Sequence, residues 1–365
     1  MGILRFLLAS LVAFAHSGVP LWGYYPISPV VPVQLFFIIS GFYMSLVLDR
    51  KYRGMKNYTL FVSNRFLRLF PAYWFVLLAV VIISVIGGVF WGDWGRLTIF
   101  RDLSTHFNSD LRLLTFSNFT LLGQDLALFG GFNPATGGIH FVSDYNLSNP
   151  PLYRYLLIPQ AWSLSVELLF YLVAPFLVNR RWPVIAAITL ASLGLRAYIY
   201  FGLHWANDPW LYRFFPTELA LFMFGVFAYR IYQRIEFLEI PKPILVAPGL
   251  IVFAVVLFYS LVPTTSFMLF NLVIWSLYLF AMVAIPFLFK WTKDSRFDAA
   301  FGELSYPIYI VQFVVIDFLV KILKDTPSYE YLPVWVVGGC AVLAILINKL
   351  VSDPVEKIRK ARAVR

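Results

Sequence analysis

The stretch FVLLAVVIISVIGG, Phe75–Gly88, carries no charged side chain, and its apolar neighbours extend it to the ~20 residues that cross a ~30 Å hydrocarbon core as a helix. A second run, VVGGCAVLAILI (Val336–Ile347), does the same near the C-terminus. Around them the chain stays apolar: of 365 residues 60% are hydrophobic and 19% aromatic, with a mean hydropathy of +0.77. A soluble domain of this length does not carry that composition. The fold expected is an all-α polytopic membrane bundle, because helices satisfy their own backbone hydrogen bonds where no water is present.

Outward from Phe75–Gly88, about ten spans are expected, near 3–20, 32–48, 70–90, 161–178, 183–200, 214–230, 244–262, 267–289, 304–320 and 333–350. With the N-terminus cytoplasmic, most of the 29 Lys and Arg fall on the inside. They include Arg50, Lys51, Arg53, Lys56, Arg65 and Arg68 before the third span, and Lys349, Lys357, Arg359, Lys360, Arg362 and Arg365 after the tenth. Both termini are therefore expected in the cytoplasm. The net charge of +10 is read as a topology signal beside membrane lipids, and no nucleic-acid partner is expected. The single Cys340 excludes an intramolecular disulfide and reads as a small buried residue. No metal site is expected.

One integral membrane domain is expected over 1–365, with a long outer loop at about 91–160 and a basic tail at about 351–365. The loop opens with an amphipathic portion, DLRLLTFSNFTLLG (Asp110–Gly123). A Gly/Asn/Pro-rich part follows, GGFNPATGGIHFVSDYNLSNPP (Gly130–Pro151). It is a candidate lid or acceptor surface, with a purely structural interfacial role as the alternative. Trp205 and Trp210 are open to the same two readings, sugar stacking or interfacial anchoring. The N-x-[ST] triplets at Asn57, Asn118 and Asn146 carry little weight alone. Arg5, the apolar run after it and Ala13-Phe14-Ala15 imitate a signal peptide, but the sparse charge favours a retained first span.

Ionisable side chains inside spans cost roughly 2.5–3.5 kcal/mol each near the centre, so His16, Glu167, Glu218 and Asp317 are functional candidates. In LRFLLASLVAFAH (Leu4–His16), Arg5 and His16 share a helix face and stand ~16 Å apart along its axis. That places an anion-binding group at the surface and a potential base in the depth. A substrate with a phosphate head and a long arm ending in the reactive atom, such as a coenzyme A thioester, has this shape; a helix-packing histidine with a topological arginine is the alternative. In AWSLSVELLFYLVAP (Ala161–Pro175), Ser163 and Glu167 form an i, i+4 pair on one face while Ser165 points elsewhere. Glu167 is expected near His16, orienting the imidazole. Arg65 and Arg68, in SNRFLRLFPAYW (Ser63–Trp74), suit phosphate through their bidentate forks.

These segments together resemble the acyltransferase-3 family of integral membrane acyltransferases. Its R-x10-H is matched by Arg5 and His16, its second-span motif by PVQLFFIISGFYMS (Pro32–Ser45), and its arginine-rich motif by NRFLRLFPAYW. Its S-x-E region is matched by Ser165 and Glu167, and its last blocks by FGELSYPIYIVQF (Phe301–Phe313) and LVSDPVEKIRK (Leu350–Lys360). The resemblance implies transfer of an acyl group, usually acetyl, from cytoplasmic acyl-CoA to a hydroxyl of a glycan or lipid-linked sugar, in the bacterial cytoplasmic (inner) membrane. It carries over His16 and Arg5 as essential, Arg65 and Arg68 as donor-side residues and Ser165 and Glu167 as the S-x-E pair; His16 and Glu167 are expected to be catalytic, and Arg5 to bind the donor with Arg65 and Arg68. Ser163, Ser165, Ser40, Gln34 and Gln312 are expected to bind substrate or support the site. Asn64 departs from the usual double arginine, Gln34 stands where an acid is common, and Gln312 where histidine is common. Neither glutamine can act as a base. No esterase-like domain follows the tenth span, so a stand-alone enzyme is expected. A transporter or flippase using the same polar residues is the rival, disfavoured by the lack of an internal repeat.

Overall fold

Each of the ten expected segments falls on a helix in the computed structural model, which describes residues 1–52, 54, 57–102, 109–133, 138–206, 208–261 and 272–364. Arg53, Lys56, Arg365, loop residues 134–137 and the start of the expected span 267–289 lie outside the described residues. In chain order the helices are α1 (Gly2–Ser17), α2 (Val30–Arg50) and α3 (Tyr58–Trp91), then α4 (Thr98–Asp102) and α5 (Ser109–Thr120) within the long loop. The rest are α6 (Trp162–Leu177), α7 (Trp182–Ala197), α8 (Phe215–Ile235), α9 (Lys242–Phe258), α10 (Leu272–Thr292), α11 (Arg296–Leu323), α12 (Leu332–Ile347) and α13 (Asp353–Val364). The loop also forms a small antiparallel hairpin, β1 (Gly130–Phe132) with β2 (Ile139–Phe141), which qualifies the all-α expectation.

Among the described residues, seven helices are long and apolar enough to cross a membrane. α1 and α9 are apolar but shorter, and α8, with Glu218, Arg230 and Arg234 along it, is not among the seven. The expectation of ten spans therefore stands at seven by length and composition.

Helix pairing follows from where small residues let backbones approach. α1 runs parallel to α11: Phe6 meets Phe301 edge-on at 5.0 Å and His16 meets Phe313 at 4.9 Å. α2 runs parallel to α8, with contacts from Gln34–Glu218 at one end to Arg50–Glu236 at the other. Midway, Gly41 and Gly225 bring the two backbones together so closely that a Cβ on Gly41 would lie 2.0 Å from the Phe222 carbonyl oxygen. The bundle thus has an arginine end, where Arg5, residues 50–52 and α13 gather, and a loop end, where residues 18–29, 92–102, 109–133, 138–161, 203–206 and 208–214 gather.

The first span is shorter than expected. Gly18 adopts φ 71°, a left-handed cap whose N–H reaches the Ala15 carbonyl, and it closes α1 at Ser17. His16 accordingly sits in the last turn of its helix.

Candidate active site

Arg5 on α1 and Arg65 and Arg68 on α3 converge on one cavity of about 790 Å³, open toward the arginine end. Arg65 is buried, and its Nε has no hydrogen-bond partner. No carboxylate forms an ion pair with any of the three among the described residues, and a cluster of arginines of this kind attracts an anion. The sole carboxylate lining this cavity among the described residues is Glu167 of α6. Its Oε1 accepts from Ser40 at 2.6 Å and from Tyr171 at 2.5 Å, so Oε2 keeps its acceptor capacity. Ser163 lines the same cavity one turn from Glu167, as their i, i+4 spacing requires.

His16 is not bonded to Glu167. Its Nδ1 lies 3.0 Å from Gln312 Oε1, and Gln312 Nε2 donates to the Tyr309 carbonyl at 2.9 Å. The second bond fixes which way the amide points, so Oε1 faces the imidazole and Nδ1 is the protonated nitrogen. Nε2 then carries the lone pair, and no hydrogen bond occupies it among the described residues. The expected contact of Glu167 with His16 is therefore corrected: the side chain that bonds the imidazole is Gln312. The spacing of residues along α6 has no access to a partner on α11.

His16 lines a second cavity, of about 830 Å³, at the loop end. Aromatic rings dominate its wall: Tyr145 and Tyr153 from the long loop, Trp162, Tyr212, Tyr309 and Phe313. Asp208 and Arg213 add a charged pair, with Arg213 Nε donating to both carboxylate oxygens at 2.7 and 2.9 Å and its guanidinium 4.3 Å from the Trp162 ring. Sequence reading missed this wall. It favoured Trp205 and Trp210 instead, and those pack on each other at 4.6 Å, Trp210 also against Phe129 and Phe141. The two cavities share Val33 and Tyr309 as a common wall, with the Tyr309 hydroxyl 2.7 Å from Ser163 Oγ and 3.0 Å from the Gln160 carbonyl.

The remaining candidates line neither of these two cavities. Ser165 donates to Asp125 Oδ1 at 2.6 Å and accepts from the Gly123 N–H at 3.0 Å, pinning the long loop to α6. Burial holds the Asp125 carboxyl above the usual carboxylate range, and the Ser165 bond offsets part of that. Asn118, a glycosylation triplet by sequence, is fully buried and ties the loop to itself through the Tyr155 carbonyl and the Leu157 N–H. Gln34 is closed off in a buried network: its Nε2 donates to Glu218 at 3.0 Å, its Oε1 accepts from Tyr278, and Glu218 pairs with Arg196 at 2.5 Å. Asp317 sits at the surface in a pair with Arg96.

Comparison with known proteins agrees with this arrangement. Residues 1–348 match the family model described as an acyltransferase domain. The chain is similar to Nodulation protein 10 of Rhizobium leguminosarum bv. viciae, 28% identical over 248 residues, covering 64% of this chain and 60% of that protein. An uncharacterized protein of Aquifex aeolicus is 26% identical over 229 residues, 58% of this chain and 92% of that one. No solved structure matches. A helical membrane bundle, an arginine-lined cavity backed by a carboxylate and a histidine just beyond it thus belong to a chain that is a member of the acyltransferase-3 family of membrane acyltransferases.

Proposed function

We propose that the protein moves an acyl group, acetyl by preference, from cytoplasmic acyl-CoA to a hydroxyl of a membrane-associated or extracytoplasmic glycan. One observation carries the reading: three arginines, none in an ion pair among the described residues, line a cavity that shares wall residues with the cavity that holds His16. Arg5, Arg65 and Arg68 suit the donor's phosphates, with the arginine end in the cytoplasm of a bacterial inner membrane. The thioester arm runs along α1 toward Tyr309, and an acceptor sugar enters the aromatic cavity from the loop end. Stacking on those rings and hydrogen bonds to Asp208 suit a polyhydroxy acceptor.

In this mechanism His16 Nε2 takes the proton of the acceptor hydroxyl as its oxygen attacks the thioester carbonyl carbon. The C–S bond breaks as the ester C–O bond forms, and the imidazolium returns the proton to the departing thiolate. Glu167 stays on the donor side, where it balances part of the arginine charge.

The test is consumption of labelled acetyl-CoA by the purified full chain in lipid nanodiscs, with glycan extracts as acceptors. Extract-dependent turnover is expected, and Arg65→Gln should raise the donor KM by about 10–100-fold, the worth of one or two charge-assisted hydrogen bonds. A folded protein that neither binds nor consumes the thioester would leave transport of a lipid or sugar as the reading.

Gln312 gives a second test. Gln312→Leu should lower kcat by about 10–100-fold with donor KM unchanged, as removal of an orienting partner does. Gln312→Glu puts a carboxylate beside Nδ1, which favours the imidazolium, so the lower limb of the pH–rate profile should move to higher pH. An unmoved limb would remove Gln312 from the positioning role.

A further inference from the structure

A third cavity, of about 740 Å³, adjoins the arginines and takes part of its wall from the C-terminal segment. Its wall takes Asn348 and Ser352 from a π-helical turn between α12 and α13, Asp353, Glu356 and Arg359 from α13, and Glu303 from α11. It shares Arg5, Arg68 and Tyr306 with the first cavity, so the two are continuous. π turns interrupt helices mostly where a site needs the backbone re-aimed.

Arg359 is held in place but not used up. One terminal nitrogen bonds Glu356 at 2.5 Å, while the other, Nη1, is buried without a hydrogen-bond partner. α13 is itself anchored to α3, where Arg362 donates to Ser63 at 3.1 Å. Three guanidinium groups and three carboxylates in one cavity do not describe a site for phosphate alone. They describe one for a ligand that offers both phosphate oxygens and amino or hydroxyl donors, as a nucleotide does.

We propose that this cavity is a nucleotide subsite that takes the 3′-phosphorylated adenosine end of the donor, with Arg359 on the 3′-phosphate and Arg5 and Arg68 on the diphosphate at the shared wall. The inference rests on the acyl-CoA reading above and adds to it a role for α13, the lid that reads the nucleotide.

Equilibrium binding of coenzyme A and of dephospho-coenzyme A to the full chain in nanodiscs tests it without an acceptor. Wild type should bind coenzyme A at least ~10-fold more tightly, the worth of one charge-assisted contact. In Arg359→Gln that ratio should collapse toward one while dephospho-coenzyme A binds as in wild type, which also shows the variant is folded; Arg359→Lys should restore part of the ratio. Equal binding of the two ligands by wild type, or an undiminished ratio in Arg359→Gln, overturns the subsite and leaves the acyl-CoA reading standing. Failure of both ligands to bind folded wild type overturns both.

Discussion

His16→Ala is expected to abolish acceptor-dependent acyl transfer, with kcat down by about 10²–10⁴-fold, the usual contribution of a positioned general base. Donor affinity should stay near wild type, because the arginine cavity is lined without His16. That split separates a role in chemistry from a role in packing. A helix-packing histidine would lower yield and melting temperature while leaving the turnover of the folded fraction intact. The imidazole contacts Phe313 and Gln312, both on α11, so the variant also loses one ring contact and leaves Gln312 Oε1 unpaired. His16→Gln keeps a hydrogen-bonding group in that space, and its melting temperature serves as the reference for the packing component. The measurement is turnover of labelled acetyl-CoA per folded molecule, alongside donor Kd. Retained turnover in His16→Ala would end the base assignment. A labelled acyl group trapped on wild-type His16 would replace direct transfer by a relay through the histidine.

Gly225→Val should have the largest effect on folding. A Cβ built there lies 2.0 Å from the Ile38 carbonyl oxygen and 2.5 Å from the Phe42 nitrogen, and both obstacles are backbone. No rotamer relieves such a contact, so α2 and α8 must separate. Separation breaks the Gln34–Glu218 bonds and withdraws Ser40 from Glu167, while Glu218 keeps Arg196 of α7. Overpacking against two backbones combined with the lost buried hydrogen bonds puts the expected loss at about 4 kcal/mol or more, enough to abolish accumulation in the membrane. Even Gly225→Ala should be severe. Gly194 of α7 is the internal control: a Cβ there meets nothing within 4 Å, and Gly194→Ala should be tolerated or slightly stabilising. The readout is membrane yield and melting by size-exclusion profile. Equal behaviour of the Gly194 and Gly225 variants would contradict the close crossing.

The helices were legible in the sequence because each is an apolar run bounded by charge or proline, and a run needs no knowledge of its neighbours. The convergence of Arg5, Arg65 and Arg68 was half legible, since the arginines announce themselves but their shared cavity depends on α1 and α3 both packing on α11. Partnerships were not legible. Gln312 lies 296 positions from His16, and Asp125 lies 40 from Ser165. Spacing along a helix says which residues share a face, and only packing says what that face meets. The helix ends misled for a related reason: Gly18 stops α1 by backbone conformation inside a stretch that is still apolar, so hydropathy carried the span on to residue 20. The aromatic wall of the second cavity stayed hidden because it draws on the long loop, α6 and α11 together, and aromatic residues abound throughout the chain.

The thin wall of Val33 and Tyr309 has an electrical consequence. Water-accessible hollows that approach each other from the two sides of a membrane conduct the potential inward, so most of the voltage falls across what separates them. A charge moved through a septum one or two side chains thick then experiences nearly the full transmembrane potential, about 2.3 kcal/mol per 100 mV for an elementary charge. The Tyr309 hydroxyl, held by Ser163 and the Gln160 carbonyl, closes that septum with a neutral group. In the proposed transfer the acyl fragment crosses uncharged, so the one charge that feels this potential is the proton passed from His16 to the thiolate.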